Sequence, residues 1–195
     1  MVEFAASLPF LLLIAMGGAE LTHYATTKMR ISQLALHVAD NISRVGNGSM
    51  LSAKKVREID INDALTGVGL QAGNLDLFTH GRVIVSSLQG ETAPTNPGGK
   101  YKIAWQRCRG GIDYTSHYGE QGDADLDGIG PSLITAPENG AVVFVEVAFD
   151  YQPLFSEKLA PEARIVEVAA MTARDTWDLL PPHNNEGVPE ASCAP

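Results

Sequence analysis

The side chains best placed to do chemistry lie in one acidic loop. Asp123-Ala-Asp125-Leu-Asp127-Gly128 reproduces the first half of an oxygen-lined calcium loop, with carboxylates at the first, third and fifth places and a glycine where the chain must turn sharply. The second half departs from that pattern: the twelfth place counted from Asp123 is Ile134 instead of Glu, and Pro131 stands at the ninth. Calcium takes about six to eight oxygens, so a site on Asp123, Asp125 and Asp127 would need Glu120, Glu138 or more distant groups to complete it. The alternative is an acidic, glycine-rich turn from Gly119 to Gly130 whose carboxylates are simply solvated.

Other chemistry lacks its spacing. His23, His37, His80, His117 and His183 are scattered, without an HExxH pair. Gly98-Gly99-Lys100 is not followed by Ser or Thr and reads as a turn, and no GxSxG elbow occurs. Asp113, Tyr114, His117 and Tyr118 share one loop and could form a polar site, against the plainer reading of an aromatic-rich surface loop. The expectation is a protein that is not an enzyme and needs no resident cofactor, calcium aside. Cys108 and Cys193 are too far apart for a CxxC motif, which leaves a disulfide in an oxidising compartment or two free thiols in a reducing one. A bridge across that separation would take about 4–5 kcal/mol of chain entropy from the unfolded state and pin the C-terminal tail.

The elements that must carry these groups begin with an unusual one. Phe4 to Ala19 is an apolar run between two carboxylates, Glu3 and Glu20. As a helix it reaches about 24 Å, a little under the hydrocarbon thickness of a bilayer. Such a run suits a short membrane anchor or the core helix of an assembly, and Glu3 must then sit at an interface or meet a cation from a neighbour. A removable signal peptide is the alternative, but its basic n-region is missing, since no Lys or Arg precedes Lys28. No Pro or Gly separates Leu21 from Val45, where Ile31, Leu34, Val38, Ile42 and Val45 recur at helical spacing. One helix is therefore expected from Val2 to Val45, about 65 Å long, kinked locally at Pro9 and ended by Gly46-Asn47-Gly48-Ser49. Its second half packs on its own domain.

An acidic residue at the head of an apolar helix, with an amphipathic stem and a globular part behind it, resembles the organisation of type IV pilin-like subunits. The run Val2-Glu3-Phe4-Ala5, then Leu8-Pro9, then Gly17, Gly18 and Glu20, is similar to the opening pattern of the TadE/TadG-like family of tight-adherence pilus proteins. A weaker likeness lies in Val143 to Phe155, a late strand ending in an aromatic residue, Pro and Leu. The resemblance implies assembly roles for Glu3, Phe4, Pro9, Gly17, Gly18 and Glu20. It also implies partners among other pilus or pseudopilus subunits, the inner-membrane assembly platform, membrane lipid and a prepilin-type peptidase, with a single-pass anchor and the domain in the periplasm. Prepilin-type leaders are short, basic and end in Gly, whereas only Met1 stands before Val2 in this sequence. Lys28, Arg30, Lys54, Lys55 and Arg57 all follow the run, which a simple count of positive charges would place on the cytoplasmic side.

The remainder is one modest domain. With 195 residues, 45% hydrophobic and 19% charged, the chain supports a single core once the helix is set apart. A net charge of −9 speaks against nucleic acid as a partner. Ser52 is positioned to cap a short helix through Lys54, Lys55, Val56 and Arg57, and Asp60 or Asn62 another through Ala64, Leu65 and Val68 toward Gly73. Strands are expected over 82–89, 101–108 and 141–151, the first two paired antiparallel, and over 163–174, which also reads as a helix. The fold expected is α+β: residues 1–46 the anchor and amphipathic helix, 50–180 a domain with an antiparallel sheet, and 181–195 a coil tail. The functional expectation is a pilin-like minor subunit, with a membrane-anchored periplasmic binding module or a secreted periplasmic protein as alternatives.

Overall fold

A computed structural model describes residues 2–48, 52–92, 95–156, 158 and 161–193, and within the first helical turn the side chains of Val2, Glu3, Ala5 and Ala6 lie outside that description. The chain opens with α1, Val2–Arg44, 43 residues that continue through Pro9. The apolar stripe turns inward: Ile31, Val38 and Ile42 have no exposed surface, and Ala35 and Ala39 fill the close-packed positions between them. That face packs on β3, β4 and α2.

The domain is α+β. Helix α2, Glu58–Ala72, and the single turn α3, Leu77–His80, precede four strands: β1 Gly81–Gly90, β2 Tyr101–Gly110, β3 Ala141–Asp150 and β4 Arg164–Thr172. They form one antiparallel sheet in the order β2-β1-β3-β4. Period-two alternation sends Val83, Val85, Val143, Val145, Val147 and Phe149 to the helices, and Ile84, Val142, Phe144 and Ala148 to the other face. One extra residue in β2, opposite Ser87 and Leu88, breaks the alternation, so Trp105 joins the helical side while Ile103 packs on the reverse. The reverse face is roofed by the long β2–β3 connection through Tyr114, Ile129 and Ala136. Gly130 makes that roof fit: at φ +78°, a Cβ there would come within 2.6 Å of the Phe144 ring.

Four local expectations are refined. Residues 53–57 form no helix, because their backbone pairs elsewhere: Lys55 N–H donates to Asn47 O (2.9 Å) and Lys54 N–H to Thr176 O (2.8 Å). Helix α2 starts earlier than Asp60, with Arg57 at the cap and no side-chain cap bond. Its first N–H, of Glu58, is met by His183 O at 2.9 Å, and Asp60 instead pairs with Arg57. The ambiguous fourth segment is strand β4. The tail is coil through Cys193 yet fastened along its length, through His183 to Val56, Asn62 to Pro189 and Cys108 N–H to Ala191 O.

Candidate functional site

Helix α1 changes character at Glu20. Before it, Phe10, Leu11, Leu12 and Leu13, which at 3.6 residues per turn point to every side, are 53–70% exposed. Ile14 is 73% exposed. After it, the helix lies against the sheet. The described helix is long and apolar enough to cross a membrane over its first part.

Glu20 itself has no exposed surface. Its carboxylate accepts from the Tyr151 hydroxyl at 2.7 Å and from the backbone N–H groups of Leu154 and Phe155, each at 3.1 Å. These donors satisfy the buried charge directly, which is what allows it to be buried at all. Strand β3 delivers the donors: it ends at Asp150, and Tyr151-Gln152-Pro153-Leu154-Phe155 curls over the helix. His23 Nδ1 lies 2.8 Å from the Tyr151 hydroxyl, and the Tyr24 ring meets Tyr151 edge-on with centroids 5.2 Å apart. Burial first, and the bond to Glu20 second, push the Tyr151 phenol well above its ordinary pKa, so it remains a donor at neutral pH. Tyr24 reaches on to Glu162 at 3.0 Å.

The residues singled out for assembly thus divide. Phe4, Gly17 and Gly18 lie with Pro9 on the protruding rod, and a Cβ on either glycine would meet nothing within 4 Å. The Glu3 carboxylate lies outside the described residues. Glu20 is turned inward, fastening helix to domain. Sequence reasoning missed His23, Tyr151, Leu154 and Phe155 as its partners. Tyr151, Leu154 and Phe155 lie more than 130 residues further along the chain, beyond the reach of any local pattern around Glu20.

In the acidic loop the carboxylates have partners within the chain. Lys100 Nζ lies 2.9 Å from Asp127 and 3.4 Å from Asp125, while Asp123 accepts from Glu120 N–H at 2.8 Å to close a turn. Among the described residues, no three His, Cys, Asp or Glu side chains converge as a metal site. The loop's backbone serves the sheet instead, with Tyr101 N–H to Leu126 O and Ile103 N–H to Asp123 O.

Cys108 and Cys193 are joined in a disulfide, which ties the tail to β2. Beside it opens a cleft of 410 Å³, lined by Arg82, Tyr114, Gln121, Glu190 and Ser192 among others. Two buried carboxylates flank this region. Glu58 receives the Arg107 guanidinium through Nε and Nη2, and Arg107 also meets Glu190 at 2.9 Å. Glu146, on the reverse face of β3, accepts from the Tyr114 hydroxyl, which lies 2.8 Å from His117 Nδ1. Of the polar loop residues, Tyr114 and His117 therefore come together, on a strand carboxylate that the loop sequence did not reveal. Burial, then the Glu146 bond, raise the Tyr114 phenol far above its usual pKa. The arrangement pins the roof to the sheet.

Set against models of known families, characterised proteins and solved structures, the chain matches none.

Proposed function

We propose that this protein is a non-enzymatic, pilin-like minor subunit of a tight-adherence pilus assembly system, held in the inner membrane by Phe4–Ala19 with its domain in the periplasm. The observation that carries the reading is the apolar rod, exposed on all sides and continuous with a stem that is packed and satisfied. A helix hydrophobic all round is stable only when surrounded, by lipid or by other helices. Gly17 and Gly18 support the second environment, since nothing among the described residues requires their small size and helix neighbours can approach closely there. The disulfide fits an oxidising compartment.

In this reading the rod rests in lipid and exchanges lipid for neighbouring subunits on assembly, while Glu3 gains a cationic partner as it leaves the interface. Glu3→Leu should leave membrane insertion intact and abolish incorporation into the assembly, measured by co-purification with the pilus fraction. Undiminished incorporation refutes the role given to Glu3. Intact-mass measurement of the native protein tests the anchor itself, because a mature chain beginning near Ala19 or Ala25 would mean a cleaved signal peptide.

A further inference from the structure

The turn that Glu20 holds has properties that its latch function does not need. Leu154 and Phe155 are 53% and 50% exposed, two large apolar side chains side by side on a turn. Glu20 follows directly on the apolar run, so a turn bonded to its carboxylate at 3.1 Å is held at the level where the rod leaves the domain. The backbone there is also prepared for a poorly solvating medium. The N–H groups of Leu154 and Phe155 are both spent on Glu20, and backbone donors near hydrocarbon must be satisfied internally.

We propose that Gln152–Phe155 is a second membrane contact: Leu154 and Phe155 insert into the bilayer interface beside the rod, and Glu20 fixes their depth. This rests on the reading of Phe4–Ala19 as a membrane segment. The occupant is a lipid surface because the patch is continuous with that segment. The domain would then stand on the membrane at two points, which sets its tilt, where a single helix would leave it free to swing.

The test uses the full chain in phosphatidylcholine vesicles whose acyl chains carry bromine near the headgroups, with tryptophan placed singly by Phe155→Trp, Ile14→Trp or Leu70→Trp. The native Trp105 and Trp177 are buried in the core and supply a constant background. Leu70 is 80% exposed on α2, near Gln71, which reaches His37 on the stem well beyond Glu20. The proposal expects strong quenching and a blue-shifted emission for Phe155→Trp and Ile14→Trp, and neither for Leu70→Trp. Quenching of Ile14→Trp alone overturns the second contact and leaves the anchor standing. Absence of quenching at Ile14→Trp removes the membrane reading and the contact with it. Equal quenching of all three shows the domain lying on the bilayer as a whole and overturns the two-point arrangement.

Discussion

The two halves of α1 share one unbroken backbone and answer to different surroundings. From Tyr24 onward the helix is amphipathic, and every large apolar residue of its stripe has a partner in α2 or the sheet. Before Glu20 it is apolar on all sides, and among the described residues none of its large side chains is covered. The stem belongs to the domain's stability and the rod to whatever surrounds the molecule. Glu20 marks the boundary, being, among the described residues, the one carboxylate of the helix wholly enclosed by the domain's own donors.

Substitutions on either side of that boundary should differ most. Ile42→Ala, in the stem, is expected to lower the unfolding free energy of the domain by about 2–5 kcal/mol, since it leaves a cavity in a fully buried site. Ile14→Ala should change it by less than about 0.5 kcal/mol. Denaturant unfolding in micelles, followed by the buried Trp105 and Trp177, reads both. A comparable loss at Ile14 would break the comparison.

At the boundary, Tyr151→Phe removes the hydroxyl shared by Glu20 and His23 and should cost about 1–3 kcal/mol by the same measurement. Stability should also fall in alkali. The Tyr114 and Tyr151 phenols are raised in the folded domain above their ordinary value of 10.0, so their contribution is whole below that pH. Above it the unfolded chain loses those protons first, and each phenol withdraws up to about 1.4 kcal/mol per pH unit. Tyr114→Phe should flatten this slope by roughly its own share, measured as the unfolding midpoint against pH.

The smallest effect on the domain is the sharpest for function. Gly18→Ala should leave unfolding unchanged within about 0.5 kcal/mol, since a methyl group there meets open space. In the proposed assembly it should weaken co-purification with other subunits, because it keeps helices apart.

Much of the scaffold could be read from local pattern. The helix from Val2, its buried stripe at Ile31, Leu34, Val38 and Ile42, and the strands around Arg82, Tyr101 and Ala141 each announce themselves through periodicity within a short window. The segment Lys54–Arg57 did not, because its backbone pairs with Asn47 and Thr176, the latter over a hundred residues away. The change of face between Ile103 and Trp105 was hidden by a bulge, which breaks the alternation by one residue. The spacing of Asp125 and Asp127 is plain in the sequence, but not Lys100, which comes to meet them from another loop.

By itself the sequence determined that an apolar rod heads the chain, that an amphipathic stem follows and that an α+β domain comes after, since hydrophobic period and run length are properties of neighbours along the chain. Only the tertiary structure decided which face of Glu20 is used, that Tyr151, Leu154 and Phe155 close over it, that Glu146 and Glu58 are buried with Tyr114 and Arg107, and that Cys193 reaches Cys108. A buried charge takes its partners from wherever folding brings donors within hydrogen-bond reach, and that distance is set by packing rather than by position in the chain.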